Sequence, residues 1–144
     1  MDYQLFDDLE RDMEERHALL QFDRVLNDMA PEREAQQLIA QMTAEEETSL
    51  TELEQLYHSL LRQNYNCEDR PGPQIACYED GLRARLLRET SCEQDYGDQF
   101  ARAVDATIRK VLFGQFCASL SRVQHLTYLL ICLEKSAPRR SAGV

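Results

Sequence analysis

"SRVQHLTYLL", residues 121–130, lies near the end of a long apolar stretch and carries Arg122 and His125 three residues apart. Helical spacing puts both on the side that faces a core. A charged side chain seldom enters a core unless something there pairs with it. The stretch therefore demands polar partners at the same depth on neighbouring helices.

The punctuation of the chain shows how many helices there are. Glycine and proline are scarce, five and four among 144 residues, and they gather at boundaries. Residues 2–29 read as a first helix. "MAPERE" (29–34) follows, with Pro31 suited to the first turn of a second helix over about 31–63. "NYNCEDRPGP" (64–73) is the one clear loop. A third helix starts near Gln74 and passes Tyr96, a turn falls around Val104–Ala106, and a fourth helix ends near Ser136. No useful length alternates with period two, so strands are not expected.

The expected fold is all-α, an antiparallel four-helix bundle made of two helical hairpins joined by a crossover loop. Residues 1–136 form the bundle and 137–144 a flexible tail. The middle loop of ten to twelve residues can span roughly 35–40 Å when extended. A 25-residue helix is about 38 Å long, so the loop can just cross the bundle.

Composition sets the outer limits. The formal net charge of −10 argues against nucleic-acid binding. No basic N-terminal segment leads into an apolar run, and no uninterrupted apolar stretch reaches the roughly 18–20 residues of a membrane helix, so neither export nor membrane binding is expected. The five cysteines, Cys67, Cys77, Cys92, Cys117 and Cys132, are odd in number and lack CxxC spacing. They read as reduced thiols of a cytoplasmic protein, too scattered for a thiolate metal site.

Each helix carries an apolar stripe with a polar break near its middle. The breaks are Asp12 and Glu15 in the first helix, and Glu46 and Ser49 in the second. In the third it is Glu89, and in the fourth Gln115, Arg122 and His125. Glu15 and Glu46 lie about equally far from the turn that joins their helices, and so do Glu89 and Arg122. Antiparallel pairing brings these four positions to one level. The halves also repeat weakly. Glu15 precedes Phe22 by seven residues and Glu89 precedes Tyr96 by seven, while Glu46 follows Glu15 by 31 and Arg122 follows Glu89 by 33.

Over residues 5–133 the chain resembles the ferritin-like superfamily, in particular small bacterial rubrerythrin-like di-iron carboxylate domains. The resemblance rests on "ERHALLQFDRVLNDMAP", "AEEETSLTELEQLYHSLL", "LLRETSCEQDY" and "SRVQHLTYLL". It implies a metal site with Glu15, Glu46, Glu89 and His125 as its surviving ligand positions. Ser49 stands where a histidine is expected and Arg122 where a glutamate is expected, so the implied di-metal centre is degenerate.

A guanidinium at a metal position repels a dication and pairs instead with carboxylates. The expectation is therefore a non-catalytic ferritin-like protein, a scaffold or interaction module with no cofactor. Its partner is unnamed, and homodimerisation is left open. The alternatives are a protein that keeps iron or manganese and stores it or handles peroxide as an oxidoreductase, and an acidic helical adaptor unrelated to ferritins. His17 and His58 read as surface residues. The cluster Arg83, Arg85, Arg88 reads as pairing along its own helix.

Overall fold

The computed structural model describes residues 2–136, so the tail expected at 137–144 lies outside the described residues. Among the described residues the regular structure is entirely helical: α1 (Tyr3–Met29), α2 (Arg33–Leu61), α3 (Tyr78–Arg102) and α4 (Ala106–Ser136).

Local chemistry sets the helix ends. The Asp2 carboxylate accepts a hydrogen bond from the Leu5 amide at 3.1 Å and caps α1. Arg62, with φ of 57°, closes α2 in the left-handed region and donates its amide to the His58 carbonyl. Glu79 and Asp80 place negative charge in the first turn of α3, where the helix dipole favours it. The Asp105 carboxylate accepts from the amides of Thr107 and Ile108 and starts α4. Gly97 does not break α3, which runs on to Arg102 and turns at 103–105.

Cross-helix hydrogen bonds fix the directions. Down the α1–α3 interface, Asp8, Asp12, Arg16 and Asp23 meet Arg102, Gln99, Tyr96 and Arg85, so the two helices are antiparallel. α1 is antiparallel to α2 by the same test, through Tyr57 to Glu10 and Arg16 to Glu46. α4 is antiparallel to α2 and to α3. The closest packing is of α1 on α2 and of α3 on α4. α2 and α3 therefore run the same way, and residues 62–77 must return the chain along the bundle.

That return is laid along α1. The Tyr65 hydroxyl donates to Glu14 at 2.8 Å, His17 Nε2 lies 3.3 Å from Asp69, and Ile75 reaches the Leu26 region. At Gly72 the loop presses so close that a β-carbon would sit 2.6 Å from Val25 Cγ2 and 3.3 Å from the Gln21 carbonyl oxygen. A side chain there would force Val25 to shift.

The core is divided. One apolar cluster, around Leu26, Ile39, Met42, Leu82 and Leu129, fills the end near the α1–α2 turn. Two others, around Leu9, Met13, Leu53 and Tyr57 and around Leu19, Tyr96 and Leu112, fill the opposite half. A layer of charged side chains lies between them.

Candidate functional site

The layer is built from Arg16 and Asp23 of α1, Glu46 and Ser49 of α2, Arg85 and Glu89 of α3, and Ser119 and Arg122 of α4. The three arginines and three acids have no solvent exposure. Arg16 is the hub. Its Nη1 donates to both oxygens of Glu46 and to Glu89 Oε1, each at 3.0 Å, and its Nη2 donates to Glu89 Oε2 at 2.8 Å. Its Nε donates to the Tyr96 hydroxyl at 3.0 Å. Arg85 donates Nε to Asp23 at 2.7 Å and Nη2 to Glu46 at 2.6 Å. Arg122 donates Nε to Glu89 Oε1 and Nη1 to Ser49 Oγ, while the Ser119 hydroxyl donates to Glu89 Oε2 at 2.8 Å.

Three cations thus face three anions, and the planar guanidinium forks suit the paired carboxylate oxygens. Burial alone would push the Glu89 carboxyl up, but Arg16, Arg85 and Arg122 together outweigh it and hold the group well below its ordinary value. Asp23, with Arg85 as its main partner, is pushed up by burial to about 6. Arg16 is disfavoured by desolvation, yet Tyr96, Glu46 and Glu89 hold its proton more tightly than in water. In and beside the layer, the buried atoms Arg85 Nη1, Arg122 Nη2 and Gln115 Oε1 have no protein hydrogen-bond partner.

Nearer the α3–α4 turn lies a smaller polar pair. Gln99 Nε2 donates to Asp12 Oδ1 at 3.1 Å, and Asp12 Oδ2 has no partner. Desolvation raises the Asp12 carboxyl from 3.8 to about 7. Gln99 also lines a surface cleft of about 460 Å³.

Of the implied ligand positions, Glu46 and Glu89 meet in this layer, with Ser49 and Arg122 beside them. Glu15 does not. It lies half-buried on the α1–α3 flank, where Arg88 donates Nε and Nη2 to its two oxygens at 2.9 and 2.8 Å. Arg16 takes the inward position, because a stripe through Asp12 and Leu19 passes through residue 15 or 16 with equally good helical spacing. His125 is half-buried, its Nδ1 has no partner, and it bonds neither glutamate; Leu126 is the residue buried in the core there.

The basic cluster of α3 divides differently from expectation. Arg83 pairs with Glu79 on its own helix, but Arg85 enters the core and Arg88 crosses to α1. His58 is exposed, whereas His17 is half-buried beside Asp69. Arg16, Asp23, Arg85 and Ser119 were not legible as core residues. The signal that could have found Arg85 is the run 82, 85, 89, 92, 96, 99, which has helical spacing throughout.

Each oxygen of Glu46 and Glu89 already accepts from a guanidinium or hydroxyl, and three positive charges crowd the space between them. This donor set does not fit a divalent cation. Among the described residues, no group of three or more His, Cys, Asp or Glu is arranged to hold a metal.

Comparison with known proteins adds the fold alone. No family model matches the chain, and no curated protein matches it. A solved structure of a hypothetical protein from Pyrococcus furiosus is similar, with a TM-score of 0.81 at 12% identity, covering 93% of this chain and 92% of that one. At that identity the likeness extends to the all-helical architecture and not to an activity.

Proposed function

We propose that this is a ferritin-like bundle of the rubrerythrin type, of bacterial kind and cytoplasmic, whose di-metal centre has been replaced by a structural charge network. It acts as a non-catalytic scaffold or interaction module. The observation that carries this reading is Arg16, which donates to both glutamates at the middle of the bundle. A guanidinium so placed supplies the positive charge that a metal would bring to the same carboxylates, with fixed geometry and no open coordination position.

A buried ion network of this kind adds little net stability over an apolar core, but it selects one alignment of four helices. That suits a protein whose task is to present a fixed surface. The test is elemental analysis of protein purified without chelator, with thermal unfolding in the presence and absence of iron(II) or manganese(II). The expected result is metal far below one per chain and a midpoint that does not move. Near-stoichiometric metal, with a midpoint that rises with metal concentration, would overturn the reading, since a ligand bound only by the folded state stabilises it by mass action.

A further inference from the structure

α4 has two apolar faces, and the bundle uses one. By length and composition it is the one helix among the described residues that could span a membrane, yet only 28% of its most apolar eighteen-residue window is buried. Its inner face, through Leu112, Gln115, Ser119, Arg122, Leu126 and Leu129, belongs to the core. On the outer face Phe113, Cys117, Leu120, Gln124, Thr127 and Ile131 are all exposed. Their steps alternate four and three residues, which is the seam of a coiled coil. Phe113 is 52% exposed, Leu120 37% and Ile131 44%, and the three lie in one row along the same face of the helix.

We propose that this seam is a homodimer interface in which two copies of α4 pair antiparallel about a two-fold axis near Arg122. Charge selects the occupant. The chain carries a net −10, yet no Asp or Glu occurs between Ala106 and Leu133. The outer faces of the other helices expose acids, such as Glu47, Glu52 and Glu54 on α2 and Glu79 and Asp98 on α3. The α4 face is thus one that can meet its own copy without setting carboxylate against carboxylate.

Charge also selects the direction. The antiparallel alignment places Phe113 opposite Ile131 of the partner, Cys117 opposite Thr127, Leu120 opposite Gln124, and exposed Lys110 opposite exposed Glu134. A parallel alignment would instead set Lys110 against Lys110. An isologous contact of this kind satisfies itself and closes at two.

The area suits a reversible dimer. Phe113, Leu120 and Ile131 leave on the order of 250 Å² of side-chain surface exposed per copy. Two copies therefore bury less than the roughly 1,200 Å² of stable interfaces, in the range of weak, transient encounters.

Sedimentation velocity from about 1 to about 200 µM tests the proposal, a span that covers the micromolar affinities at the weak end of protein interfaces. The expected result is a concentration-dependent shift from monomer to dimer. Leu120→Glu and Ile131→Glu, each at an exposed position, should keep the helical circular dichroism and weaken dimerisation by about a hundredfold through new charge across the seam. Oxidising Thr127→Cys protein and mapping the disulfides by mass should link Cys117 of one copy to the thiol introduced into the other. A monomer throughout, including one that floats with lipid vesicles, would overturn the proposal. So would a dimer insensitive to both substitutions. A Cys117–Cys117 link would overturn the antiparallel alignment.

Discussion

Replacing Glu89 by glutamine tests whether the buried charge layer is a balanced electrostatic unit. The change keeps side-chain volume and helix preference, so packing and helix propensity are nearly constant. What it removes is the negative charge that Arg16, Arg85 and Arg122 share, leaving three cations against two anions with no solvent exposure. The lost attraction of three guanidiniums is opposed by relief of the carboxylate's desolvation, and the expected net loss is the about 3–5 kcal/mol seen when one partner of a buried ion pair is deleted.

For a chain of this size that is a large part of the total stability, and it should lower the thermal midpoint by about 8–16 °C. Urea unfolding at pH 7, followed by far-ultraviolet circular dichroism, measures it. Adding Arg122→Met should restore about 1–3 kcal/mol, because it removes the excess cation and its unpartnered Nη2. A loss below about 1 kcal/mol for Glu89→Gln, or no recovery in the double variant, would refute the balance reasoned here.

Two further outcomes follow from the same physics. Asp12 is held near 7 in the folded chain against an ordinary 3.8, so it binds its proton more tightly when folded. Its contribution is present in acid and lost as pH rises from about 4 to about 7. At about 1.4 kcal/mol per pKa unit this amounts to about 4 kcal/mol, so Asp12→Asn should leave stability nearly unchanged at pH 4 and raise it by a few kcal/mol at pH 8. Equal effects at the two pH values in urea titrations would rule that out. Gly72→Ala should lower stability by about 1–3 kcal/mol, because its new methyl meets Val25 and the Gln21 carbonyl; Val25→Ala in the same chain should recover part of the loss in thermal unfolding.

The four helices were readable because their boundaries are written locally. Pro31, the "RPGP" loop and the break before Ala106 each act within a few residues, and the observed ends fall within a few positions of those expected. Glu46 and Glu89 were readable as core acids because apolar residues flank them on the same helical face. Their partners were harder to see. Residue 15 or 16 fits the stripe of α1, and an arginine is ordinarily the one assigned to solvent. In α3, hydrophobicity alone argues for the wrong face: Leu87 is 73% exposed while Arg85, two residues before it, is fully buried. The second face of α4 was hidden for the opposite reason, since an apolar helix offers several stripes and nothing local says which one the bundle consumes.

By itself the sequence determined that this chain forms four helices, that two short turns and one long loop connect them, and that acids interrupt the apolar core near mid-length. These follow from nearest-neighbour chemistry: caps, prolines, and the three- and four-residue spacing of side chains. Only the tertiary structure decided that Arg16, Arg85 and Arg122 join those acids, that Glu15 and His125 stand apart from them, and that half of α4 faces outward. A helix can roll by one residue position without changing its own hydrogen bonds. Which roll prevails is set by the charges on the helices around it.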